Sequence, residues 1–148
     1  MVNPKLPKYI QPISMADRAE TLAGNLALSS FTRLSPLLMS NEGEVSIELK
    51  FGRDVERINY LQGTITTDLC LECQRCLRPM NYPLQLTTSL SPVFTEAAAK
   101  KLPPRYEPLM LDTDQIDLIT IVEDEILLAM PLVPKHEDPN CAAAANLL

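Results

Sequence analysis

The stretch "EVSIELKF", residues 44–51, decides the fold: Val45, Ile47, Leu49 and Phe51 alternate with Ser46, Glu48 and Lys50. A period of two places every apolar side chain on one face, the pattern of a strand half buried against a core. "GRD" (52–54) then reads as a turn, residues 55–61 as a returning strand, and Gln62-Gly63 as a second turn into "TITTDLCLEC". In that run Ile65, Thr67, Leu69, Leu71 and Cys73 share one face, and Thr66, Asp68, Cys70 and Glu72 share the other. Beyond "QRCLRPMN", Tyr82, Leu84, Leu86 and Leu90 alternate with Gln85, Thr87 and Ser89. The expectation is an antiparallel meander with Cys73 and Cys76 at the tip of its last hairpin.

Helical signals flank this core. Ser14 can cap a helix over about 15–23, with Asp17 three residues later as in a capping box and Gly24 closing it. In "SSFTRLSPLLMS", Phe31, Leu34, Leu37 and Leu38 have helical spacing, but Pro36 restricts them to a turn or two. On the other side, "EAAAKKLPPRYEP" reads as a linker and "LMLD" (109–112) as a short edge strand. The clearest helix covers about 115–129, with Asp114 as its N-cap, Leu118, Ile119, Val122 and Ile126 as its core stripe, and Pro131 as its stop. The fold class expected is α+β, an antiparallel β meander with an N-terminal helix and a C-terminal acidic helix packed on it. It forms one domain over 1–148, with a helical segment at 1–40, a sheet at 43–95, a helix at 115–130 and a tail at 131–148.

A chain of 148 residues, 46% hydrophobic and 22% charged, has the composition of a globular protein able to bury its own core. The start, "MVNPKLPKYIQPIS", has no apolar signal-peptide region, and "ILLAMPLV" (126–133) is too short to span a bilayer. The expectation is a cytoplasmic protein without a membrane partner. The net charge of −6 argues against phosphate binding over the whole surface. The charge is uneven. Residues 74–105 hold Arg75, Arg78, Lys100, Lys101 and Arg105 against Glu96, a net of +4, while residues 107–138 carry nine acids against Lys135, a net of −8. The basic set is a candidate local RNA contact with Tyr82 or Tyr106 for stacking; the competing reading is a solvated face.

"CLECQRC" (70–76) contains three of the four cysteines, and "HEDPNC" (136–141) contains the fourth together with the only histidine. In a reducing compartment such clustering points to metal or redox chemistry before a disulfide. Cys73 and Cys76, as C-x-x-C, offer two thiolates at one turn; zinc then needs two more N or S ligands, which His136 and Cys141 can supply. Three other readings compete. A thioredoxin-like dithiol needs a helix after the motif, where Pro79 and a strand-like run stand instead. The cysteines could be small buried hydrophobes. Cys70 and Cys73 form a second C-x-x-C, but the alternation puts them on opposite faces.

"LECQRCLRPM", "LPPRYEPL" and "IDLITIVEDEILLAMPLVPKHEDPNC", in this order, resemble the YceD family of large ribosomal RNA subunit accumulation proteins over about residues 64–141. The resemblance implies a non-enzymatic role in the synthesis, processing or stability of 23S ribosomal RNA, and so in large-subunit biogenesis. The partner it implies is ribosomal RNA or a large-subunit precursor, met directly or through a ribosomal protein. It also implies a cysteine-containing pair after the helix, here His136 and Cys141. The alternative from another class is a cytosolic thiol–disulfide redox protein using Cys73 and Cys76. Glu123, Asp124 and Glu125 point in three directions around a helix, which suits solubilising charge or a face for a basic protein rather than a carboxylate pair. No catalytic residue is expected.

Overall fold

The computed structural model describes residues 6–141. Its elements are β1 (Tyr9–Ile10), α1 (Pro12–Asp17), β2 (Thr21–Ala27), β3 (Glu44–Arg53), β4 (Asn59–Glu72), β5 (Pro79–Val93), α2 (Glu96–Lys100), β6 (Glu107–Met110), β7 (Ile116–Asp117) and α3 (Leu118–Ala129). Of the 131–148 tail, residues 142–148 lie outside the described residues, as do residues 1–5 of the N-terminal segment.

The α+β class is as expected. β2 to β5 form the antiparallel meander, β6 adds to β5 in parallel, and β1 pairs with β7 in a separate two-stranded sheet. The alternation of β3 is realised residue by residue: Val45, Ile47, Leu49 and Phe51 are buried and the residues between them exposed. Leu61, Ile65, Leu69 and Leu71 of β4 extend that apolar face, and α3 covers it with Leu118, Ile121, Val122 and Ile126. Two 3₁₀ turns, Leu28–Ser30 and Ser35–Leu37, bury Leu28, Phe31 and Leu34 under the same face.

Several local expectations are corrected. The helix placed at 15–23 is α1, Pro12–Asp17, with Pro rather than Ser14 near its start. Ala19, at φ 51°, turns the chain before Gly24 is reached. Thr21–Ala27 is a strand because it satisfies seven register positions against β3, from Thr21↔Lys50 to Ala27↔Glu44. Gln62-Gly63 is no turn: β4 runs unbroken from Asn59 to Glu72, pairing Gly63 with Leu49 on one side and Thr88 on the other. The turn lies at Asp54–Ile58, where Asp54 Oδ1 accepts the amides of Glu56 and Ile58 at 2.8 and 2.9 Å. The supposed linker contains α2, capped by Thr95. The edge strand covers 107–110 rather than 109–112 and is parallel.

Helix α3 begins at Leu118 with Asp117, not Asp114, as its cap; the Asp117 carboxylate accepts the Ile119 amide at 2.9 Å. Ile121 joins its buried stripe, and so does Glu123, which is not solubilising charge. The Glu123 carboxylate accepts the amides of Arg33 and Leu34 at 2.7 and 2.9 Å and the Arg33 Nε at 2.9 Å. It thereby fixes the 3₁₀ segment to the helix.

Candidate metal centre

The β4–β5 hairpin ends in a compact loop, Cys73 to Arg78. The Cys73 amide donates to the Arg78 carbonyl at 3.0 Å and the Leu77 amide to the Cys73 carbonyl at 2.8 Å. Closing so short a loop requires one left-handed residue, and Leu77 takes that position at φ 62°. The chain after α3 returns here. The Gln74 amide donates to the Pro134 carbonyl at 2.8 Å, and the His136 amide donates to Cys73 Sγ at 3.4 Å.

The result is one cluster. The ligand atoms of Cys73, Cys76, His136 and Cys141 all lie within 4.8 Å of one another. Cys73 Sγ is 3.7 Å from Cys141 Sγ, and Cys76 Sγ is 3.3 Å from His136 Nδ1. A tetrahedral ion at ordinary zinc–sulfur and zinc–nitrogen distances requires S···S edges of about 3.8 Å and S···N edges of about 3.6 Å. The donor set therefore fits such an ion in both spacing and chemistry. The three cysteines are buried and His136 is half-buried.

The electrostatics favour ligation. Burial pushes the Cys73 thiol up, but the amides of Cys76, His136 and Arg75 converge on its sulfur and bring it down to about 5. Burial opposes the Cys76 thiolate too, and the amide and guanidinium of Arg78 overcome it, leaving the thiol below its usual value. Cys141 is pushed up, by burial first and then by its sulfur neighbours. The contact with Cys73, then the negative charge of Cys76, raises His136. A cation entering this group displaces whatever protons the ligand atoms carry, and Cys73 is the sulfur most disposed to meet it as a thiolate.

Cys70 stands apart, half-buried in β4, its backbone bridging to Ser40. The basic residues do not form one surface. Arg75 and Arg78 lie at the hairpin loop and donate to backbone carbonyls: Arg75 to His136 and Pro139 at 2.8 and 3.2 Å, Arg78 to Cys141 at 3.2 Å. Lys100 and Lys101 sit on or beside α2, past the other end of β5. Arg105 is there too, donating to Asp54 and Glu56 at 2.9 and 2.8 Å with its guanidinium over the Tyr106 ring. Fifteen residues of β5 separate the two groups by roughly 45 Å of strand. The carbonyl-binding role of the two hairpin arginines was not foreseen; its one sequence signal is their interleaving with the cysteines in "CQRCLR". No helix follows the C-x-x-C, since Pro79 opens β5 directly.

The family model for "Large ribosomal RNA subunit accumulation protein YceD" matches residues 61–146, which include all four clustered side chains. A Haemophilus influenzae protein, "Large ribosomal RNA subunit accumulation protein YceD", is 35% identical over 143 residues, covering 96% of this chain and 82% of its own length. No solved structure matches. With a match over more than half of the chain and a relative aligned along nearly all of it, this chain belongs to the YceD family of large ribosomal RNA subunit accumulation proteins.

Proposed function

We propose that this protein is a non-enzymatic, cytoplasmic factor in the synthesis, processing or stability of 23S ribosomal RNA, and thereby in biogenesis of the large ribosomal subunit. Family membership along nearly the whole chain carries this reading. Its partner is ribosomal RNA or a large-subunit precursor, reached directly or through a ribosomal protein. The four-residue cluster serves this role as a structural centre. Cys73, Cys76, His136 and Cys141 hold one zinc ion, and four protein ligands leave no open position for a substrate. The redox alternative gains no support from the hairpin setting of Cys73 and Cys76, which lacks the helix N-terminus that activates such dithiols.

A clean deletion strain tests the cellular role. The expected outcome is a lowered ratio of large- to small-subunit ribosomal RNA and a reduced large-subunit peak on sedimentation. Unchanged profiles, including under cold or rapid growth, overturn the reading.

A further inference from the structure

We propose that Arg75 and Arg78 are positioning residues of the metal centre, each presenting a ligand of the opposite segment to the hairpin cysteines; this rests on the metal-binding reading above. The need for such residues follows from the fold. His136 and Cys141 lie beyond α3, and residues 130–140 belong to no helix or strand. No ladder therefore fixes them, although their partners are sixty residues away on a rigid hairpin.

The hairpin supplies what the segment lacks. Arg75 forks across it, donating to the carbonyls of His136 at 2.8 Å and Pro139 at 3.2 Å, and so spans most of the H-x₄-C turn. Arg78 donates to the carbonyl of Cys141 at 3.2 Å. The two carbonyls that bracket the segment thus belong to the two ligand residues themselves, and each is held by an arginine of the "CQRCLR" loop. Within the segment itself, Asp138 accepts the Asn140 amide on its Oδ1 at 2.9 Å and the Cys141 amide on its carbonyl at 3.3 Å.

Charge works in the same direction. Three thiolates, a neutral imidazole and a divalent ion sum to −1, which guanidinium groups at the rim offset. Geometry is nevertheless the main contribution, because an outer contact that orients a ligand typically changes metal affinity 10–100-fold. A lysine keeps the charge of Arg75 but offers one ammonium nitrogen in place of the planar fork whose two nitrogens serve the His136 and Pro139 carbonyls separately.

The test uses the full chain, with zinc affinity measured by competition against a chromophoric chelator and cobalt(II) as spectroscopic probe. Arg75→Ala and Arg78→Ala should each weaken zinc binding about 10–100-fold. Arg75→Lys should lose nearly as much as Arg75→Ala, whereas Arg78→Lys, which replaces a single contact, should recover most of the affinity. At saturation the d–d bands of the cobalt-loaded Arg75→Ala protein should shift from the wild-type envelope, because His136 no longer arrives at the same angle. Should an alanine variant fail to fold, the lysine pair still makes the comparison. Wild-type affinity and spectra in the variants overturn the inference, and so does loss of ribosomal RNA binding at unchanged zinc affinity. Wild-type protein that takes up neither ion overturns the metal centre itself, and this role with it.

Discussion

Glu123 shows how far a single carboxylate departs from what its neighbours in sequence suggest. It belongs to "EDE" on α3, yet it is buried and receives two backbone amides and a guanidinium nitrogen from the Arg33–Leu34 segment. Asp124 beside it is exposed and pairs with the same Arg33 at 2.6 Å. Glu123→Ala leaves two amides without an acceptor, and the stability measured in urea should fall by about 3 kcal/mol. Asp124→Ala should change it by less than about 1 kcal/mol, as surface pairs do. Asp54 organises the opposite end of the sheet: besides the amides of Glu56 and Ile58, it accepts the Tyr106 hydroxyl at 2.7 Å and Arg105 at 2.9 Å. The Ile58 amide first, then Tyr106 and Arg105, hold its carboxyl well below the ordinary value of 3.8. A depressed folded-state value stabilises the fold above the unfolded value and ceases to do so as pH falls past it. The stability difference between wild type and Asp54→Asn should therefore be constant above about pH 5 and shrink below pH 4.

Strand β4 explains why the element boundaries were only partly legible. Its alternation was readable at both ends, but Gln62-Gly63 carries the signature of a turn. The glycine serves a different need. A Cβ at Gly63 would meet Leu49 Cδ2 at 2.3 Å and the Glu48 carbonyl at 2.9 Å, so the strand can pass β3 only without one. Gly63→Ala should destabilise the protein by about 2 kcal/mol in denaturant titration, with the sheet retained by circular dichroism. Strand β2 was hidden for another reason. Leu22 and Leu26 are four apart, which fits a helix face as well as a strand face, and only pairing with β3 decides between them. The parallel pairing of β6 depends on α2 and the proline-rich loop, which a local pattern does not reveal. The cysteine cluster was the most legible feature, because chemistry rather than periodicity marked it. The arginines beside it read as free charge, since nothing local announces that the carbonyls of residues 136–141 return to meet them.

In the molecule as a whole, the cluster of Cys73, Cys76, His136 and Cys141 joins the last described segment to a sheet that has its own core. Twenty residues of that core are buried without help from the cluster. Zinc removal should therefore loosen the strap rather than unfold the protein. Purified protein is expected to hold one zinc per chain by elemental analysis. Cys76→Ser should release it and lower Tm by about 5 °C, the shift corresponding to roughly 2 kcal/mol in a chain of this size. Amide exchange in the Cys76→Ser protein should rise across 131–141 and stay protected in β3 to β5.

The separation of the two ligand pairs also sets an order of events on the ribosome. Cys76 is synthesised sixty residues before His136. At about 5–20 residues per second, the growing chain carries the hairpin thiols for roughly 3–12 s before the other half of their site exists. Once β5 has been made and the hairpin can close, the Cys73 sulfur has the amides of Cys76 and Arg75 but still lacks that of His136, and it is without the burial that the finished fold gives it. A nascent chain halted before residue 136 should expose two readily alkylated cysteines at the hairpin, and one released after residue 141 should shield them.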